Sequence, residues 1–122
     1  MDTFQATVEI GDPDGNPYET VEAVVDSGST YTWVPKDVLA RLGIESEFQQ
    51  EFETADGRVI EWDVAETRVR LDGQPRTTLV VFGDEGSKPL LGAYTLEGFG
   101  LAVDPLGRRL VPVRGLALTS SV

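Results

Sequence analysis

Neither cysteine nor histidine occurs anywhere in this 122-residue chain. Without cysteine there is no disulfide and no thiolate metal site, which accords with a reducing compartment. Without histidine there is no Ser-His-Asp or Cys-His nucleophile, no imidazole-held zinc and no imidazole acid–base chemistry. Any reaction must run on carboxylates, hydroxyls, lysines or backbone groups. Basic residues are few as well: 10 Lys and Arg face 21 Asp and Glu, for a net charge of −11. Such a chain repels phosphate backbones and anionic lipid surfaces, so nucleic acid and membrane are not expected partners. The plainest reading of the acidity is solubility. No apolar run approaches the ~20 residues that span a bilayer, and "MDTFQATVEI" has no basic segment leading into an apolar one. A cytoplasmic location, with no metal and no cofactor, is the expectation.

What is present is largely strand pattern, in one domain spanning residues 1–122. In "FQATVEI", Phe4, Ala6, Val8 and Ile10 alternate with polar residues, the period of a half-buried strand. "GDPDGNP" reads as a turn, and "YETVEAVVD" as the second strand of a hairpin, losing its alternation at Ala23-Val24-Val25 as if buried on both faces. "PKDVLARLG" is the best helix candidate, with Pro35 at its start, Val38, Leu39 and Leu42 on one side, and Gly43 at its end. Beyond Glu51 the chain returns to strands, with turn signals at Asp56-Gly57 and Asp72-Gly73. "GDEGSKP" is a loop, Ala93 to Leu96 fit one helical turn, and "LAVDPLGRRLVPV" reads as strand, turn and strand. "RGLAL" suits a last strand. The pattern is mainly β with one or two short helices, a small barrel or sandwich.

Three apparent motifs dissolve on inspection. Asp12-Pro13-Asp14-Gly15-Asn16 suggests a calcium loop, but its glycine is early and the twelfth position is Ala23 rather than Glu. "GFG" at 98–100 has Val103 where a dinucleotide fingerprint needs glycine. Lys36 and Lys88 have no spacing that marks them as activators of Ser27 or Ser29.

"VVDSGSTYTWVP", residues 24–35, is different. An acid stands at the end of an apolar run, among small and hydroxyl-bearing residues. Alone, Asp26-Ser27-Gly28 is a turn. With Val24-Val25 before it, Ser29-Thr30 and Trp33-Val34-Pro35 after it, and Leu90-Leu91-Gly92 much later, it resembles the active-site signature of aspartic proteases. Thr54 to Arg58 lies where that family carries its flap. The order of the three elements is similar to the single-domain, retroviral-type (retropepsin-like) branch. Ser27 replaces the commoner Thr, and Gly57 is the only glycine at the flap tip.

The resemblance implies a small closed β-barrel and an aspartic endopeptidase acting on polypeptide. It implies Asp26, Ser27 and Gly28 as the catalytic loop, with Ser29, Thr30, Ala55, Asp56, Gly57 and Arg58 binding substrate. Ser27 is expected to join a hydrogen-bond network under the acids, and Ser29 to donate to the outer oxygen of Asp26. Peptide hydrolysis by this route needs two carboxylates, one taking a proton from water and one polarising the carbonyl. The chain has one D-S-G, and Asp104 precedes Pro105. A homodimer placing Asp26 beside its own copy supplies the second acid. Two carboxylates about 3 Å apart cannot both ionise readily, so the pair shares one proton. A dimeric peptide-binding module with weak or silent catalysis is the alternative, suggested by the glycine-poor flap. An unrelated barrel in which D-S-G is only a turn is the third reading.

Overall fold

The computed structural model describes residues 3–14 and 17–114. Strands β1 (Phe4–Gly11) and β2 (Tyr18–Val25) form the antiparallel hairpin that the alternation in "FQATVEI" predicts, pairing Phe4 with Val25 and Gly11 with Tyr18. The loss of alternation in β2 does not mean burial on both faces. Ala23 and Val25 are buried, whereas Val24 between them is only half-buried. β3 (Thr32–Pro35) leads directly into α1 (Lys36–Arg41), which begins after Pro35 and buries Val38 and Leu39. β4 (Phe48–Glu53) and β5 (Val59–Leu71) follow, then β6 (Gln74–Gly83). Asp72-Gly73 makes the two-residue turn between β5 and β6, both residues at positive φ, as such a hairpin requires.

After the 84–89 loop come β7 (Leu90–Leu91) and α2 (Ala93–Gly98), a longer helix than the single turn expected. β8 (Leu101–Asp104) and β9 (Arg109–Pro112) form a separate two-stranded sheet, joined through the expected turn. Residues 115–118 of the suggested last strand lie outside the described residues.

The main sheet runs β1-β2-β7-β3-β6-β5-β4, and β1 also pairs with β5, closing six strands into a ring. The closure carries an ion pair: Arg70 Nη2 lies 2.5 Å from Glu9 Oε2, and its guanidinium rests 4.0 Å from the Tyr18 ring centre. The architecture is thus mainly β with two short helices, as expected. Within the ring, Val8, Ile10, Val25, Val34, Val69, Val80 and Leu91 are buried, and Leu39, Leu42 and Leu96 pack against the same core.

Two consequences position the site. Short β7 sits between β2 and β3, parallel to β2 and antiparallel to β3, so the ends of three strands meet where residue 26 follows β2. β5 pairs with β6 only from Val64 onward, while Val59 to Asp63 have only β4 beside them. The β4–β5 hairpin therefore projects beyond the ring.

Candidate active site

Asp26 follows Val25 at the mouth of the ring, its N–H donating to the Leu91 carbonyl at 3.0 Å. Its Oδ1 accepts the Gly28 N–H at 2.9 Å, and its carbonyl accepts Ser29 N–H at 3.1 Å. These two bonds wrap Ser27 and Gly28 into a tight turn around the acid. A Cβ at Gly28 would stand 3.2 Å from Asp26 Oδ1, so a side chain there would crowd the carboxylate. Ser29 departs from expectation: its hydroxyl donates to the Tyr31 carbonyl at 3.0 Å, while the Gly28 amide occupies Asp26. The Gly28 N–H, unlike the Ser29 hydroxyl, reaches the carboxylate with no rotamer of its own to fix. Thr30 is exposed at the same turn.

The loop is held from below by the first turn of α2. Ala93 N–H donates to Ser29 O at 2.8 Å, and Tyr94 N–H to Thr30 O at 2.9 Å. Gly92 is buried directly beneath, and a Cβ there would meet Tyr31 O at 2.3 Å and Ser29 O at 2.8 Å. Only glycine permits that approach. The motif Leu90-Leu91-Gly92 therefore does two things at once: its leucines extend the sheet, and its glycine lets the helix reach the loop.

Sequence reasoning missed a set of buried hydroxyls under Gly92. Gly92 N–H donates to Thr32 Oγ1 at 3.0 Å; Thr32 Oγ1 lies 2.6 Å from Thr95 Oγ1, which lies 2.9 Å from Thr78 Oγ1. The three threonines are 3%, 1% and 5% exposed. The available signal was Thr32 at an inward position between two large aromatics.

The other candidates, Ala55, Asp56, Gly57 and Arg58, form the exposed tip of the projecting hairpin. Their hydrogen bonds stay within the tip. Thr54 N–H donates to Arg58 O at 2.8 Å, Gly57 N–H to Thr54 O at 2.9 Å, and Arg58 Nε to Asp56 Oδ2 at 3.0 Å. The Thr54 hydroxyl also donates to Asp56, and this bond first, then the Arg58 amide, holds the Asp56 carboxyl below its ordinary value. Gly57 takes φ +86°.

Hairpin and loop meet one step behind the tip. The Phe52 ring stands edge-on to Tyr31 at 5.4 Å and tilted to Trp33 at 5.6 Å, and Trp33 packs edge-on to Trp62 at 5.1 Å. Phe52 and Trp62 share the inner face of the hairpin; Glu51, Glu53 and Glu61 alternate to the outer one. Ser29, Thr30, Tyr31, Trp33 and Phe52 line a groove of about 200 Å³. This aromatic set was also missed, because its members come from the loop before β3 and from β3, β4 and β5. On the other side of the loop, Ser27, Leu96, Leu101, Val103 and Val113 line a larger, mainly apolar cavity of about 430 Å³. Among the described residues no cluster of acidic side chains could hold a metal ion, and no helix is long and apolar enough to cross a membrane.

A mainly β ring with an acid-bearing D-S-G loop braced by an apolar-apolar-Gly element is an acid protease architecture. A family profile described as aspartyl protease matches residues 6–95, so the chain belongs to that family. The solution structure of simian foamy virus (mac) protease is similar in fold, with a TM-score of 0.57 at 21% identity, covering 77% of this chain and 92% of the viral one. No curated protein matches this chain in sequence.

Proposed function

We propose that two copies of the chain pair about a two-fold axis and hydrolyse peptide bonds with a water held between two Asp26 carboxylates. One observation carries this reading: the chain contains a single D-S-G loop, built and braced as a catalytic loop, with one acid where the chemistry needs two. The apolar cavity beside Ser27 gives a second copy something to cover, and Val113 at its edge is 49% exposed.

One carboxylate of the pair, ionised, takes a proton from water as the oxygen attacks the scissile carbonyl carbon. The other, protonated, gives its proton to the carbonyl oxygen. The tetrahedral adduct then collapses: the acid that took the water proton gives it to the nitrogen, and the C–N bond breaks. The other carboxylate takes a proton back from a hydroxyl of the adduct, leaving a carboxyl, an amine and one proton on the pair. Ser27 sits at the subunit side of the loop, and Gly28 keeps space open over the acid. An extended substrate lies between the loop and the β4–β5 hairpin, its side chains meeting the aromatic groove and its backbone within reach of Thr30 and the tip residues 55–58. Closure of that hairpin excludes water.

The test is degradation of an unfolded protein across a pH series by the parent and by Asp26→Ala, with particle mass from light scattering. A dimer whose activity falls about 10²–10⁴-fold on substitution is expected, the usual contribution of a general acid–base group. Equal degradation by both proteins would defeat the proposal, as would a persistent monomer that cleaves. The second reading, a dimeric peptide-binding module without effective catalysis, is favoured by one feature: the tip is tied to itself by Asp56, Thr54 and Arg58 and has one glycine. It predicts peptide binding that survives Asp26→Ala and no cleavage in either protein.

A further inference from the structure

Buried hydroxyls in a small core need a reason, because apolar residues of the same shape fill space without needing partners. Thr32, Thr78 and Thr95 come from β3, β6 and α2, yet their three hydroxyl oxygens converge. The convergence ends on Gly92 N–H, at the residue whose missing side chain lets α2 touch Ser29 and Tyr31. Thr32 accepts from the Gly92 N–H and shares a hydrogen bond with Thr95, which shares another with Thr78. Thr95 has one proton for two contacts, so it accepts in at least one of them. Thr95 is the link that α2 contributes, so it ties the helix turn carrying Ala93 and Tyr94 back to the sheet. Those two amides are the ones that hold the Asp26 loop from below.

We propose that Thr95 is a positioning residue: its hydroxyl sets the height and tilt of the first turn of α2, and through Gly92, Ala93 and Tyr94 fixes where the Asp26 carboxylate stands. The consequence for turnover rests on the catalytic role proposed above; the consequence for loop order does not. In a two-copy site, where each acid must meet its twin and a water together, small displacements of the loop fall on turnover rather than on substrate binding.

The rival explanation is packing. Valine matches threonine in shape but lacks the hydroxyl, and serine keeps the hydroxyl but loses the methyl. Thr67, 0% exposed on β5, supplies the control: its hydroxyl donates to the Thr78 carbonyl at 3.5 Å and is not hydrogen-bonded to any of the three hydroxyls. Thr95→Val, Thr95→Ser and Thr67→Val are to be compared with the parent in steady-state cleavage of one peptide, and in amide hydrogen exchange of the free proteins. For Thr95→Val, kcat should fall about tenfold with KM within twofold, and exchange at Gly92, Ala93 and Tyr94 should quicken about tenfold, the worth of one hydrogen bond. Thr95→Ser should restore both, and Thr67→Val should leave both unchanged.

Parental kcat and exchange in Thr95→Val would overturn the proposal. So would impairment of Thr95→Ser equal to that of Thr95→Val, or the same losses in Thr67→Val. If no protein in the series cleaves, the catalytic reading has failed and exchange alone decides the positioning role: quickening confined to Thr95→Val upholds it, and uniform exchange rejects it.

Discussion

The Asp26 loop and the Thr54–Arg58 tip are both tight turns organised around an aspartate, yet they are held in opposite ways. Asp26 takes an amide from its own turn, but the loop's placement comes from residues 60 to 70 positions away: Leu91, Gly92, Ala93 and Tyr94. The hydrogen bonds of the tip stay within its own five residues, of which Ala55 to Arg58 are exposed and Thr54 is half-buried. The first turn is tied to the core beneath it through the amides of Ala93 and Tyr94. The second is a polar knot on a projecting hairpin, secured behind by Phe52 against Tyr31 and Trp33. The difference shows how one small domain can tie one aspartate turn to its core and leave another to its own local hydrogen bonds.

The sharpest way to break this contrast is to substitute the buried glycine of one turn and the exposed glycine of the other. Gly92→Ala puts a methyl 2.3 Å from a backbone oxygen with no flexible side chain to yield. A loss of about 3 kcal/mol or more is expected, at the top of the range for overpacking, read from urea midpoints. Gly57→Ala adds a methyl into open space and costs only its unfavourable positive φ, about 1 kcal/mol by the same measurement. Equal effects would erase the distinction between the two turns.

Acid gives the smallest and most selective effect. The Asp56 carboxyl is held below its ordinary value by the Thr54 hydroxyl first and the Arg58 amide next. A depressed folded-state value means that the ionised form supports the turn. That support is fully present above the unfolded-chain value near 3.8 and is lost as pH falls through the lower folded one. Amide shifts of Gly57 and Arg58, followed by NMR below pH 4, should report loosening of the tip while Gly92 and Ala93 stay unchanged. Asp56→Asn should show weaker tip protection at neutral pH and no acid-dependent change.

Local signals made much of this legible. The alternation of Phe4 to Ile10 announced β1, the Asp-Gly pairs announced two hairpin turns, and Pro35 and Gly43 bracketed α1. Each rests on short-range stereochemistry that neighbours cannot easily override. The spacing of D-S-G from Leu-Leu-Gly also pointed to the site, although nothing local says that Gly92 must lie under Tyr31. The half-exposed Val24 and the full length of α2 escaped because they depend on what packs alongside: one side of β2 is open at Val24, and α2 is stabilised by contacts to the sheet. The Thr32–Thr95–Thr78 cluster and the Tyr31–Trp33–Phe52–Trp62 rings were hidden for the same reason. Their members are scattered in the chain and carry no spacing of their own.

From the sequence alone came the class of chemistry open to this protein, because residues that are absent cannot react, and the positions of the turns, because backbone preference acts over a few residues. Tertiary structure alone decided which hydroxyls converge, which glycine admits the helix, and where Ser29 donates. Those outcomes follow from chain closure, which brings distant segments within hydrogen-bonding distance and leaves each buried polar atom only the partners that the fold supplies.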